Sequence, residues 1–428
     1  MKRSSLFFAV GAVAAVGFAA FATQAAGTPL LTATKATPAG LTADASYRAL
    51  AADRATVSLQ LVQADASQID AKTDRIQLGL GDAGTAYLRS VTQNADGTVV
   101  WSGTLGRDFG PLARMKSALD GEIADDPKNS VIIVRNGDKL TGTIRSNGEL
   151  YSLRPLRSGG HALVRVDEAK MPADHPEADY KRLFEQATSA RLRSLRDTDA
   201  VEAAPGIAKA NAIIRVLVAY TPSARSAVGD ITGLINLAVA ETNQGYSNSG
   251  VAITLQLAST VAVTYTESGS FSTDLSRFRG TTDGYMDSIH TTRNSTAADV
   301  GVLIINNSSS CGLASGIGSS ASTAFAAVHY SCATGYYSFG HEIGHLQSAR
   351  HDPATDPSTS PYAYGHGYRS PTSAWRTIMA YACSNNCARI NYWSNPAKTY
   401  NSQAMGTTAT SHNQRVLNNT AATVSAFR

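Results

Sequence analysis

The chain of 428 residues contains few cysteines and few charged side chains. Its four cysteines all come late in the sequence and include no C-x-x-C pair, so a zinc cluster built from cysteine is not expected. Charged residues make up 16% of the chain with a net charge of +4 and no Lys/Arg block, which argues against a nucleic-acid partner. No apolar run of about 20 residues occurs beyond the N-terminus, so no membrane span is expected there.

The N-terminus has the pattern of a secretory signal peptide over residues 1–26. Lys2 and Arg3 precede an uncharged, Ala-rich run from Leu6 to Phe21, and small residues follow at 22–26. A membrane anchor is the alternative interpretation, but the run is short and weakly hydrophobic for that role. We therefore expect a secreted, extracellular protein.

The even number of cysteines favours disulfides over free thiols in an exported chain. Four cysteines allow three pairings. We expect Cys311–Cys332 and Cys383–Cys387, of which the second closes a short loop and fixes local geometry.

Charge density divides the chain into two parts. Residues 27–205 hold 22 Lys or Arg and 23 Asp or Glu, whereas residues 206–428 hold 13 and 10. The first part is predicted to be β-rich, with a hairpin at Asn136-Gly137 between two apolar runs. A charged domain without a catalytic constellation at the front of an exported chain indicates a prodomain. An independent binding module is the alternative.

The second part alternates between strand and helix patterns, which indicates an α/β domain. The predicted strands are 213–220, 251–263, 300–305 and 325–330, the last of them short and at an edge of the sheet. The predicted helices are one that follows Asp230, two short ones within 272–293, one at about 337–347 and one within 411–427.

The H-E-I-G-H motif at 341–345 carries the chemistry. His341 and His345 are four residues apart, so on a helix both can bind one zinc ion. Glu342 can act as the general base that takes a proton from the attacking water. His351 supplies a third nitrogen and leaves a fourth position open, as a catalytic zinc site requires. The short motif alone also arises by chance, and the third histidine makes it specific.

The T-I-M-A-Y segment at 377–381 resembles the Met-turn of the metzincin metallopeptidases, in which a Met lies beneath the zinc site. The resemblance gives Met379 that position and gives Tyr381 the role of stabilising the oxyanion. It also implies that Asp352, directly after the third histidine, anchors the Met-turn without binding metal. Taken alone, Met379 and Tyr381 could equally be core residues.

The two motifs, the signal peptide and the long prodomain together resemble the secreted bacterial peptidyl-Asp metalloendopeptidases of the Asp-N type. The resemblance implies a metzincin-like α/β (α+β) catalytic domain, with a twisted mixed sheet and a zinc-site helix, behind a β-rich prodomain. It implies one catalytic zinc ion, protein or peptide substrates, and cleavage on the N-terminal side of aspartate. The alternatives are a broad-specificity secreted metallopeptidase and a non-catalytic, zinc-stabilised secreted binding protein. The presence of Glu342 favours an enzyme over the binding protein.

One position departs from the elongated zinc motif, which usually has Gly where this chain has Ser348. That Gly allows a sharp turn after the helix, so that the third histidine reaches the metal. We expect the turn to be kept with Ser348 at positive φ, at a cost of about 1 kcal/mol or more.

Cleavage before aspartate requires a cationic pocket, because a desolvated carboxylate must be paired. In metzincins the chain just after the Met-turn builds this pocket, and Arg389 is the one cation in residues 382–393. Arg376 and Arg350 are weaker alternatives, and a solvated, surface role for Arg389 is the other interpretation.

The prodomain is expected to act as an intramolecular inhibitor. No cysteine precedes Cys311, so a cysteine switch is excluded. Either His161, Asp167 or His175 fills the open position of the zinc, or the prodomain blocks the cleft only sterically. The remaining histidines are expected to lie outside the site: His290, His329, His366 and His412.

Overall fold

The computed structural model describes residues 28–35, 37, 40–79, 84–106, 121–183, 185 and 211–428. The predicted signal peptide at 1–26 and the predicted boundary at 205/206 lie outside the described residues.

The N-terminal part forms a nine-stranded antiparallel sheet in the order β1-β2-β10-β9-β8-β7-β5-β4-β3. The predicted hairpin is present, with Asn136 opposite Lys139. Alternating apolar residues of the strands pack around Trp101, which is fully buried. The strands are β1 Leu31–Ala33, β2 Thr56–Ala64, β3 Arg75–Gln77, β4 Thr85–Gln93, β5 Val99–Leu105, β7 Ser130–Asn136, β8 Lys139–Ser146, β9 Glu149–Pro155 and β10 His161–Val166, with the short β6 Gly121–Glu122 outside this sheet.

The C-terminal part contains a five-stranded mixed sheet in the order β12-β11-β13-β15-β14. All neighbours are parallel except β14, which runs antiparallel to β15. The strands are β11 Ala212–Tyr220, β12 Ile253–Ala262, β13 Val300–Ile305, β14 Gly312–Ala314 and β15 Phe325–His329. The prediction of an edge position for the strand at 325–330 is wrong, because β14 covers that edge. β14 has only three residues, too few for any periodicity to reveal.

Helices cover this sheet on both faces. They are α1 Ala45–Ala52 in the N-terminal part and α2 Pro222–Ala227, α3 Ile231–Ser249, α4 Phe271–Arg279, α5 Ser288–Ser295, α6 Ser338–Leu346 and α7 Asn413–Val424 in the C-terminal part. α3 is buried on several sides because it lies between the two sheets. Its Leu234 and Ile235 join the core of the second sheet, whereas Leu237 packs against Ile132 and Val134 of β7.

The C-terminal segment is held together by short strands and a disulfide. These strands are β16 Trp375–Arg376, β17 Ala388–Arg389, β18 Asn395–Tyr400 and β19 Gln403–Met405. β6 of the N-terminal part pairs with β18, so the two parts share a sheet. The disulfides join Cys311 to Cys332 and Cys383 to Cys387, as expected. Among the described residues, no helix is long and apolar enough to cross a membrane.

Candidate metal centre

The helix α6 presents two imidazoles to one point, because their spacing of four residues places them on one face. His341 and His345 are both 1% exposed. The helix is followed by a tight turn at Ser348, whose φ of 73° lies in the left-handed region, as expected from its place in the motif. The turn brings the buried His351 back to the same point.

Backbone carbonyls fix the orientation of three imidazoles in the cluster. Nδ1 of His341 lies 3.0 Å from the carbonyl oxygen of Ile378, and Nδ1 of His345 lies 2.8 Å from that of Ala349. Nδ1 of His175, from the N-terminal part, lies 3.0 Å from the carbonyl oxygen of Gly312. Because a carbonyl only accepts, each Nδ1 carries the proton and each Nε2 keeps its lone pair.

These lone pairs converge with that of the third motif histidine. The Nε2 atoms of His175, His341, His345 and His351 lie 2.9–3.2 Å apart in five of their pairs. The Nε2 atoms of His175, His341 and His345 carry no proton and cannot hydrogen-bond to one another, whereas a cation between the four nitrogens would stabilise this arrangement. A tetrahedral metal with nitrogen ligands at about 2.0–2.1 Å gives nitrogen separations of about 3.3 Å, close to those observed. The four residues therefore fit one metal ion.

Burial keeps these imidazoles neutral, as metal ligands must be. It lowers the pKa of His175 to about 4. It also lowers the pKa values of His341, His345 and His351 well below the ordinary histidine value, with a further contribution from the neighbouring imidazoles.

Glu342 lies beside the cluster without being part of it. Its side chain is 1% exposed, and Oε2 has no hydrogen-bond partner among the described residues. Burial, and then the negative charge of Asp174, raise the pKa of the Glu342 carboxyl well above its usual value. The carboxylate packs against Gly312 in β14, where any side chain would collide with it. The position therefore holds a buried carboxylate next to the metal ligands.

The segment at 377–381 contacts the helix α6, where the sulfur of Met379 lies close to Gly344. Met379 is fully buried, and Ile378 supplies the carbonyl that orients His341. Oδ2 of Asp352 accepts a hydrogen bond of 3.0 Å from the backbone N–H of Tyr381. The ring of Tyr381 lies 4.4 Å from that of His351, centroid to centroid. Asp352 thus contacts the backbone of the segment at 377–381.

Arg389 is fully buried and paired with a carboxylate, so the surface interpretation of this residue is wrong. Its Nη2 lies 2.7 Å from Oδ2 of Asp174, in the N-terminal part. Its guanidinium carbon lies 4.2 Å from the ring centroid of Tyr336, and Nη1 donates to the Tyr336 carbonyl. Burial alone would raise the pKa of Asp174. The charge of Arg389 outweighs this effect and holds the pKa of Asp174 well below its usual range.

The two other arginine candidates have different partners. Arg376 donates to the Ala380 carbonyl at 2.6 Å and to the Tyr336 hydroxyl at 3.1 Å, so it supports the walls around Arg389. Arg350 forms a buried ion pair with Asp356 at 2.8 Å.

The N-terminal part reaches this site through a segment that lies beside Cys311 and the start of β14. The N–H groups of Cys311 and Gly312 donate to the carbonyls of Ala173 and Asp174 at 2.8 and 3.0 Å. Further along, the ring of Tyr180 stacks on that of His351 at 4.2 Å, and its hydroxyl donates to Asp356. The segment therefore covers the metal ligands and the arginine.

The other predicted prodomain ligands lie elsewhere. Nε2 of His161 accepts from the backbone N–H of Leu140, and Asp167 accepts from that of Ala169. Outside the four-histidine cluster are His290, His329, His366 and His412. Sequence reasoning missed Gly312, Asp174, Tyr336 and Tyr180. Asp174 could have been found, because it precedes His175 and an aspartate would complement a cationic pocket.

A buried histidine cluster, with two of its members on an H-E-x-x-H helix and a carboxylate beside them, is the arrangement of a metallopeptidase. Residues 210–394 match the model of metallo-peptidase family M12. The peptidyl-Asp metalloendopeptidase of Xanthomonas campestris pv. campestris is 51% identical over 436 residues, which cover 100% of each chain.

Two further relatives carry the same name. That of Stenotrophomonas maltophilia strain K279a is 55% identical over 383 residues, covering 89% of this chain and 88% of the relative. That of Pseudomonas fragi is 54% identical over 190 residues, covering 44% of this chain and all of the relative. The chain belongs to the peptidyl-Asp metalloendopeptidase family and is a metalloendopeptidase, which confirms the resemblance.

Proposed function

We propose that the protein is a secreted zinc endopeptidase, made as a latent precursor, that cleaves peptide bonds on the N-terminal side of aspartate. The observation that carries this proposal is the buried ion pair of Arg389 with a carboxylate close to the metal ligands. The names of the relatives support the same specificity. The N-terminal pattern at 1–26 supports export.

The histidine set favours zinc, which prefers nitrogen ligands in a tetrahedral arrangement. When bound, zinc supplies Lewis-acid polarisation of the scissile carbonyl and lowers the pKa of water. His341, His345 and His351 hold the ion in the mature enzyme.

Glu342 takes the proton of the attacking water and passes it to the leaving amine. Its position next to His341, with Oε2 left without a hydrogen-bond partner among the described residues, suits both transfers. Tyr381, next to His351, donates its hydroxyl to the oxygen that becomes negative during the reaction.

The substrate lies extended along the edge strand β14, whose backbone groups hold it by main-chain hydrogen bonds. The aspartate that follows the scissile bond pairs with Arg389. Stacking on Tyr336 and the hydrogen bond to its carbonyl fix the guanidinium, so little side-chain entropy is lost on binding.

Latency follows from His175 in the fourth position of the metal, where the water of the reaction must enter. Of the three prodomain groups expected to fill this role, His175 is the one that has its nitrogen in the cluster. Residues 27–205 then act as the prodomain.

The test is a digest of an unfolded protein by the mature enzyme, with and without a chelator, followed by sequencing of the new termini. We expect aspartate at the new N-termini and no cleavage with chelator. Cuts at many residue types would indicate a broad-specificity peptidase, and no cuts would indicate a binding protein.

A second test replaces the arginine. We expect Arg389→Ala to lower kcat/KM by about 10²-fold for a peptide with aspartate after the scissile bond, and little for its asparagine counterpart. Arg415→Ala is the matched control, since Arg415 also stacks on a tyrosine at 4.2 Å but on the C-terminal helix α7. Equal losses on both peptides would show that aspartate is read elsewhere.

A further inference from the structure

Two consecutive residues of the N-terminal part occupy two different subsites. The carboxylate of Asp174 pairs with Arg389 at 2.7 Å, with the two side chains 6% and 0% exposed. The next residue, His175, places its Nε2 atom 2.9–3.1 Å from those of His341, His345 and His351. An aspartate and a metal ligand are therefore presented together, separated by a single peptide bond.

The order of these residues is the reverse of that in a substrate. When a bond on the N-terminal side of aspartate is cleaved, the attacked carbonyl belongs to the residue before the aspartate. That preceding residue must therefore lie at the metal. Here the residue at the metal is the one after Asp174.

Two backbone contacts hold this segment against the start of β14. The carbonyl of Ala173 accepts from the N–H of Cys311, and the carbonyl of Asp174 accepts from that of Gly312. The segment thus runs in the same direction as the chain at 311–312. The carbonyl of the Ala173–Asp174 bond is turned to the backbone of Cys311, while the side chain of His175 faces the metal ligands.

We infer that Asp174 and His175 form a reversed substrate mimic, which fills the aspartate pocket and the metal site of the precursor without presenting a cleavable bond. The inference rests on the proposed function of Arg389 as the reader of aspartate. The two contacts reinforce each other, because once one of them forms, the other group is held close to its partner. The prodomain thus places an aspartate in the pocket as a substrate does. It is not cleaved, because the residue at the metal follows Asp174 in the chain and does not precede it.

The first experiment compares one bond in two contexts. A synthetic peptide of residues 170–178, which contains a single aspartate, is given to the mature enzyme, and the products are identified by mass spectrometry. The metal-loaded full-length precursor carrying Glu342→Gln, which cannot digest itself, is treated in the same way. We expect cleavage before Asp174 in the peptide and an intact Ala173–Asp174 bond in the precursor.

Failure of the proposed aspartate specificity and failure of the reversed mimic give different results in this experiment. A peptide that is not cut before Asp174 would contradict the proposed aspartate specificity. A peptide that is cut, together with a folded precursor cut at the same bond at a similar rate, would contradict the reversed mimic alone.

The second experiment measures binding without catalysis. A fluorescent, aspartate-containing peptide is titrated into the metal-loaded Glu342→Gln precursor. It is also titrated into versions that additionally carry Asp174→Ala with His175→Ala. We expect the peptide to bind at least about tenfold more tightly once the two residues are removed. Glu177→Gln is the matched control, since it removes an exposed carboxylate three residues away from Asp174.

A conservative variant distinguishes the loss of the carboxylate charge from misfolding. Asp174→Asn keeps the shape and removes the charge, so it should weaken the contact with Arg389 and give an intermediate affinity for the peptide. Metal content and circular dichroism verify that each variant is folded. Peptide binding that is equally weak in folded variants with and without Asp174 would overturn the inference.

Discussion

Gly312 of the edge strand lies directly against the carboxylate of Glu342. A Cβ atom built on this glycine would approach Oε1 and the carboxyl carbon of Glu342 to well under 3.0 Å, which real side chains do not tolerate. Gly312 also donates its N–H to the carbonyl of Asp174. Gly312 therefore contacts both the N-terminal part and Glu342, the general base of the proposed mechanism.

Gly312→Ala should displace Glu342 and lower kcat of the mature enzyme by about 10²-fold, because a small misplacement of a catalytic group is enough to cause such a loss. Steady-state kinetics and metal analysis would measure the effect. In a Glu342→Gln background the same substitution should change kcat little, since the two act through one carboxylate. Additive losses would mean that Gly312 acts by another route.

Glu342→Gln should keep the metal and the fold but lower kcat by about 10²–10⁴-fold, because an amide cannot accept the proton. Peptide hydrolysis and metal analysis of the same sample would test this. Glu267→Gln is the control, a carboxyl-to-amide change at a residue that bonds to Thr221 and Asn306 instead. Retained metal with activity within tenfold of the wild type would contradict the role.

Ser348→Gly should leave activity unchanged and raise the free energy of unfolding of the metal-loaded enzyme by at most about 1 kcal/mol. The reason is the φ of 73° at Ser348, which glycine adopts without strain. Ser348→Ala removes the hydroxyl but keeps Cβ, so this variant should gain no stability. Denaturant unfolding of the three proteins decides between relief of strain and loss of the hydroxyl.

Glu241 of α3 gives the precursor a pH-dependent stability. Burial raises its pKa from 4.5 to about 7, although the N–H of Gly335 and the charges of Arg154 and Arg145 act in the opposite direction. The folded state therefore holds the proton more tightly than the unfolded state. The contribution to stability is full below pH 4.5 and is lost as the pH rises through 7.

Glu241→Gln should remove this dependence. The difference in unfolding free energy between the parent and Glu241→Gln, both in a Glu342→Gln background, should fall between pH 4.5 and 7. The exposed Glu149 is the control, because its hydrogen bonds to Tyr151 and Arg165 lower its pKa, so no such fall is expected for Glu149→Gln. A difference that stays constant over this range would contradict the prediction.

Sequence patterns predicted those helices, turns and strands that depend only on residues close to each other in the chain. The helix α6 follows from its histidine spacing, the hairpin at Asn136 from its turn residues, and the buried strand β13 from its apolar run. The three-residue β14 could not be predicted, because its position depends on pairing with β15 and not on its own side chains.

The sequence predicted the three motif histidines of the site but not the contacts between residues that are distant in the chain. The three motif histidines lie within ten residues and are fixed by one helix and one turn. The contact of Arg389 with Asp174 spans 215 residues, and no pattern within either segment specifies the other. The resemblance therefore pointed to Arg389 as a cation for the proposed pocket, whereas only the folded chain reveals the carboxylate that faces it.

The four-histidine cluster makes the metal a cross-link as well as a cofactor. His175 and His341 are 166 residues apart, so an ion bound to both closes a long loop and restricts the unfolded chain. Removal of the ion should therefore lower the thermal unfolding midpoint of the precursor more than that of the mature enzyme. In the mature enzyme the ion connects only residues 341–351, and the loop that it closes is short.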